Sequence, residues 1–114
     1  MRKGYLLAVV AFWALGGCTA GSVHILPGSQ HVEVGSVAPA DGYLMVGPIS
    51  AKHGGGCGLY GSQGDFAGAM NTLRNQAAQM GATYVQIVSQ RGEHMSGLCL
   101  DRAYVIDGLA YRPR

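Results

Sequence analysis

The clearest helical periodicity in the chain follows Asp65. Phe66, Ala69, Met70, Leu73, Ala77 and Met80 recur at spacings of three and four, while Asn71, Arg74, Asn75 and Gln79 fall mostly elsewhere. That pattern predicts an amphipathic helix. Asp65 suits the N-cap and Gly81 the C-terminal stop, so the helix has a start and an end written into the sequence. Leu73 and Ala77 face its core, and Arg74 and Asn75 can reach solvent or cap loops. Elsewhere the pattern is extended. Val32 and Val34 alternate with His31 and Glu33, which reads as a short, half-exposed edge strand. Tyr43-Leu44-Met45-Val46-Gly47-Pro48-Ile49-Ser50 reads as a buried strand in which Pro48 implies an edge or a bulge near its end. Thr83-Tyr84-Val85-Gln86-Ile87-Val88-Ser89 is β-branched and aromatic, hence a strand. Ala103 to Tyr111 reads as a last strand, with Gly108 as a bulge. The order is strand, glycine-rich loop, helix, strand, loop, strand. This predicts the α+β class, with three to four strands in a small sheet and one main helix packed on one face.

The start of the chain has a different character. Met1-Arg2-Lys3 is basic, Tyr5 to Leu15 is apolar, and Gly16-Gly17-Cys18 is small. This describes a secretory signal, since a membrane span needs about 20 apolar residues. Leu15-Gly16-Gly17-Cys18 resembles the lipobox of bacterial lipoproteins. The resemblance implies that lipid is attached to the Cys18 sulfur, that the chain is cut before Cys18, and that its new amino group is acylated. Two or more acyl chains hold a protein stably on a bilayer, so the membrane is an expected partner. Thr19 stands where an Asp would favour retention in the inner membrane, which implies a lipid-anchored, periplasm-facing protein of a Gram-negative outer membrane. The chain then divides into a signal peptide (1–17), the lipidated cysteine and a tether (18–30), and a single domain (31–114).

Cleavage changes the composition. It leaves 97 of the 114 residues, enough for one small domain, and removes Arg2 and Lys3, so six basic residues face six acidic ones. The mature formal charge is zero, and no basic stripe points to nucleic acid. With Cys18 committed to lipid, Cys57 and Cys99 remain as a pair in an oxidising compartment, which predicts a disulfide. Closing a loop of about 40 residues stabilises a fold by about 4 kcal/mol in the chain-entropy model.

Gly54-Gly55-Gly56-Cys57-Gly58-Leu59-Tyr60-Gly61 carries the most suggestive chemistry. Gly56, Gly58 and Gly61 match G-x-G-x-x-G ahead of a helix, the arrangement that presents backbone N–H groups to a pyrophosphate. The predicted helix starts several residues late, and no Gly-Lys-Ser/Thr is present, so no nucleotide and no cofactor are expected. The rival reading is a metal site, with His53 and Cys57 in one loop and His94 and Cys99 in another as a tetrahedral set for zinc or copper. A disulfide would remove both thiolates from it. Cys57 as a nucleophile would need His53 as base and an orienting acid that the sequence does not identify. Asp65, Glu93, Asp101 and Asp107 read as cap, turn and surface residues, His24 and His31 as exposed, and Tyr84, Tyr104 and Tyr111 as core and sheet surface. No enzyme is expected.

Leu73-Arg74-Asn75-Gln76-Ala77-Ala78-Gln79-Met80-Gly81-Ala82-Thr83-Tyr84-Val85 resembles a family of small bacterial lipoproteins known only as a domain of unknown function, number 4156. Leu26-Pro27-Gly28-Ser29-Gln30-His31-Val32 and Gly108-Leu109-Ala110-Tyr111-Arg112 are similar to its opening and closing segments. More distantly, the architecture resembles the outer-membrane sensor lipoprotein of the Rcs envelope-stress system. Gly42 stands where the first family often has a cysteine, and the last strand has none, so one disulfide is available. The resemblance implies a non-catalytic binding, structural or stress-sensing role with an envelope protein as partner. The alternative is an envelope metal-binding protein using His53, Cys57, His94 and Cys99.

Overall fold

The structure, a computed structural model, describes residues 20–114. The signal segment 1–17 and the lipidation candidate Cys18 lie outside the described residues. The elements are β1 (Glu33–Gly35), β2 (Tyr43–His53), α1 (Phe66–Gln79), β3 (Tyr84–Arg91), β4 (His94–Ser96), β5 (Cys99–Asp101) and β6 (Tyr104–Pro113). Four strands form one sheet in the order β1-β3-β6-β2, and β4 pairs with β5 in a separate ribbon. β1 runs parallel to β3, while β6 is antiparallel to both of its neighbours. The β2–α1–β3 crossover leaves a gap one strand wide, and β6 fills it from the opposite direction. This is an α+β domain, and among its described residues no helix is long and apolar enough to cross a membrane.

α1 begins and ends where its local signals lie. Asp65 is extended, and its Oδ1 accepts the Gly68 N–H at 2.6 Å. At the other end Gly81, at φ +76°, lets its own N–H reach the Ala78 carbonyl at 3.1 Å and the Ala82 N–H reach Ala77 at 2.9 Å. Those two bonds are the Schellman pair, and buried Ala77 and Ala82 supply its apolar contact. Ala69, Leu73 and Ala77 are buried, but the two ends of the expected apolar stripe are not. Phe66 packs edge-on against Tyr104 with ring centroids 5.8 Å apart, and Met80 lies past the last turn as the C-cap.

The core is built from small side chains. Ala51, Ala69, Ala77, Ala82, Ala103 and Ala110 are buried, and the largest fully buried side chains are Leu73, Ile106 and Val85. Burying such a large side chain contributes about 1.5–3 kcal/mol, so three of them leave much for other interactions to supply. β2 is an edge strand with a bulge between Met45 and Gly47, in keeping with Pro48, but its first half is not buried as expected: Leu44, Met45 and Val46 are exposed on this unpaired edge. Gly108 is not itself the bulge. The register slips on β3 between Ile87 and Ser89, opposite Gly108, where a Cβ would press on the Gln86 carbonyl at 2.5 Å. The β4–β5 ribbon was expected as loop. Its strands are only three residues long, and it turns at Gly97 (φ +64°) and Leu98, too short a span for alternation to register.

The segment before β1 has no regular strand, yet it is docked on α1. The Asn75 side chain accepts from the Leu26 N–H at 3.0 Å and donates to the His24 carbonyl at 2.6 Å, the loop-capping role its place on the helix allows. Replacing it removes two partly exposed hydrogen bonds, so Asn75→Ala should cost about 1–2 kcal/mol. Hydrogen exchange at the Leu26 amide should accelerate towards the unstructured rate while the α1 amides stay protected. An unchanged Leu26 rate would contradict the docking.

Candidate functional site

Cys57 and Cys99 are disulfide-bonded, with Cα atoms 5.3 Å apart across 42 positions of sequence. The bond ties the glycine-rich loop to the β4–β5 ribbon. The loop then folds on itself, Gly55 and Ser62 exchanging hydrogen bonds of 2.9 and 2.7 Å. Arg102 sits at its centre. One of its terminal nitrogens donates to the Gly58 and Gly61 carbonyls at 3.4 and 3.3 Å, the other to Gln63 Oε1 at 3.0 Å, and its Nε to Glu93 Oε1 at 3.4 Å. Loop carbonyls therefore converge on a cation. A phosphate cradle has the opposite polarity, with N–H groups aimed at the ligand. The next strand is launched by Asp101, whose carboxyl is held below the usual carboxylate range chiefly by the Ala103 N–H at 2.9 Å, with Lys52, His94 and Arg91 adding to the effect.

His53 ends β2 and is buried, only 7% exposed. Its Nδ1 accepts the Asp65 N–H at 3.0 Å, so the ring proton belongs on Nε2, which donates to the Gly21 carbonyl at 2.9 Å. Asp65 Oδ1 is 3.6 Å from Nδ1 but already caps Gly68. These two residues line a hollow of about 250 Å3 with Ala20 to Val23, yet both ring nitrogens are occupied by backbone. The His53 ring also explains why residue 68 is glycine, because a Cβ there would overlap it. Gly68→Ala should therefore cost about 2 kcal/mol as overpacking. In a His53→Ala background the same change should cost at least about 1 kcal/mol less, since the clash is gone. Additive denaturation free energies across the four proteins would refute the contact.

A different concavity lies on the other side of the helix. α1 packs over β2 and β6, which leaves the β1–β3 half of the same sheet face partly uncovered. The result is a groove of about 540 Å3 whose lining includes Val34 and Ile87 from the sheet and Phe66, Met70, Asn71 and Arg74 from the helix. The lining is mainly apolar, with one cation. Arg74 Nε is buried and has no hydrogen-bond partner among the described residues.

A family model described as a domain of unknown function, DUF4156, matches residues 23–112. The chain belongs to the DUF4156 family. No curated protein and no solved structure matches it. In this DUF4156 domain the residues singled out by sequence have separated into distinct roles. Cys57 and Cys99 are bonded to each other, His53 is held by Asp65 and Gly21, and His94 Nδ1 lies 3.1 Å from the Gly92 carbonyl. Among the described residues no three His, Cys, Asp or Glu side chains are placed to hold a metal ion. Tyr84 pairs with Tyr43 and Tyr111 at 6.2 and 6.3 Å, whereas Tyr104 turns towards Phe66. Asp107 links three strands by accepting from Ser50 at 2.7 Å and Ser89 at 3.2 Å. Sequence reasoning passed over Arg102, and it gave Arg74 no role beyond reaching solvent or a loop. For Arg74 a signal existed: residues 70, 71, 77 and 78 include no carboxylate to pair with it at three or four positions along the helix.

Proposed function

We propose that this DUF4156 protein is a non-catalytic binding domain of the cell envelope, anchored to the periplasmic side of the outer membrane by lipid on Cys18. The observation that carries the binding reading is Arg74. A buried donor without an acceptor costs about 1–3 kcal/mol, and a carboxylate or phosphate oxygen entering the groove would remove that cost once a shift of the Arg74 side chain opened Nε to it. The apolar lining of the groove, Val34, Met70, Ile87 and Phe66, suits an apolar body beside the anionic group. A non-catalytic role is supported at the nearest approach to an acid-base pair, His53 with Asp65, where both His53 ring nitrogens and Asp65 Oδ1 are held in backbone hydrogen bonds. The anchoring reading rests on Leu15-Gly16-Gly17-Cys18 and Thr19. A stress-sensing role would use the same groove to receive its signal.

Two measurements test the proposal. Mass analysis of the membrane-extracted protein should find Cys18 at the N-terminus with three acyl chains, and Cys18→Ser should leave the chain uncut. A photo-crosslinking residue at Met70 should give a discrete adduct in intact cells that falls at least about tenfold in Arg74→Met, the change expected for losing one charge-assisted hydrogen bond. An adduct indifferent to Arg74, or substrate turnover that disappears in His53→Ala, would overturn the binding reading.

A further inference from the structure

Among the described residues, the most exposed large apolar side chains cluster around the disulfide. Leu59 is 92% exposed, and Tyr60 and Leu98 are fully exposed. Leu59 follows Cys57 by two residues, and Leu98 immediately precedes Cys99. Leu59 also shares a hollow of about 300 Å3 with Leu100 from the ribbon, so the two disulfide-linked segments form one tip. Single exposed apolar residues are ordinary, but a group of them held on one covalently fixed end calls for something to cover it.

The path of the N-terminal segment bears on what could cover it. The Ala20 N–H donates to the Gln63 carbonyl at 3.0 Å. The Gln63 side chain in turn meets Arg102, whose guanidinium also holds the Gly58 and Gly61 carbonyls on either side of Leu59 and Tyr60. The chain thus enters the domain beside the tip. Cys18 precedes Ala20 by two residues, a reach of about 7 Å at full extension. A lipid on Cys18 would place the bilayer against this end of the domain. We propose that the disulfide-tied tip is a second membrane contact, with Leu59, Tyr60 and Leu98 inserting at the bilayer interface beside the lipid anchor. The contact rests on the lipidation reading above. Leucine side chains leave water there, and the tyrosine ring suits the interface because its body is apolar and its hydroxyl polar. The disulfide keeps the two apolar segments together as one inserting unit.

The only tryptophan in the sequence is Trp13, inside the predicted signal, so a cleaved chain carries none. Leu59→Trp and Leu98→Trp are therefore lone reporters, and Val37→Trp, at an exposed site in the β1–β2 connection, is the control. The lipidated proteins are reconstituted in vesicles of phosphatidylethanolamine and phosphatidylglycerol bearing brominated acyl chains. Emission at positions 59 and 98 should shift to the blue and be quenched at least about twofold more than at position 37, by the contrast between the interface and water. Flotation of the same samples reads the anchor independently. Protein that floats while positions 59 and 98 emit as in water overturns the tip contact and leaves the anchor standing. Protein that does not float overturns both. A blue shift without bromine quenching assigns the tip to a protein surface instead and also overturns the membrane contact.

Discussion

Replacing Cys57 and Cys99 together with alanine is expected to lower the stability of the domain by about 4 kcal/mol and its Tm by about 15–30 °C. The bond closes a loop across 42 positions that contains α1, β3 and β4, so its removal enlarges the unfolded ensemble substantially. The loss matters more here than in a domain with a large core. Total stability of small domains is about 5–15 kcal/mol, and this core is made mostly of alanines around Leu73, Ile106 and Val85. The native state also loses order locally, because the glycine loop otherwise meets the ribbon near the disulfide through the Cys57–Asp101 bridge, the Arg102 bonds and the open hollow between Leu59 and Leu100. Thermal unfolding followed by circular dichroism checks the expectation. A Tm drop below about 5 °C, corresponding to about 1 kcal/mol, would mean that Arg102 and the bridge hold the loop without covalent help.

The parts of this fold that could be read in the sequence are those whose chemistry is local. Asp65 caps a residue three positions away and Gly81 closes a turn over its own helix, so both ends of α1 follow from nearest neighbours. Pro48 implies an edge or a bulge, and β2 has both, because a missing N–H is a local fact with a topological consequence. The disulfide followed from the two cysteines left after Cys18. The glycine-loop bracket did not follow, since Arg102 reaches Gly61 across 41 positions and nothing near either residue announces the other. The groove was hidden for a related reason. Periodicity gives the apolar face of α1 but not which strands it will cover, and the groove exists because α1 sits over β2 and β6 and leaves Val34 and Ile87 open.

Gly64→Ala is expected to be far more damaging than Gly58→Ala, although Gly58 belongs to the G-x-G-x-x-G match and Gly64 does not. A Cβ on Gly64 would overlap the His53 carbonyl oxygen and lie 2.8 Å from the Tyr104 nitrogen. Those atoms are backbone at the end of β2 and the start of β6, so neither can rotate away, and the Gly64 N–H to Arg102 carbonyl bond of 2.9 Å holds the same crossing together. The expected cost is about 4 kcal/mol or more, in the range reserved for specific steric failures. Gly58 differs: its φ is +53° and nothing lies within 4 Å of the added atom, so only left-handed strain of about 1–2 kcal/mol applies. Gly54 and Gly61 repeat the Gly64 pattern, since a Cβ on either would strike loop backbone. The glycines thus serve a loop in which backbone packs on backbone beneath Arg102. A loop that instead approached a ligand through its backbone would reverse the order, with Gly58→Ala abolishing binding and Gly64→Ala tolerated. Chemical denaturation of the two variants decides between these, and a Gly64→Ala loss below about 1 kcal/mol, the range of ordinary surface changes, would refute the packing explanation.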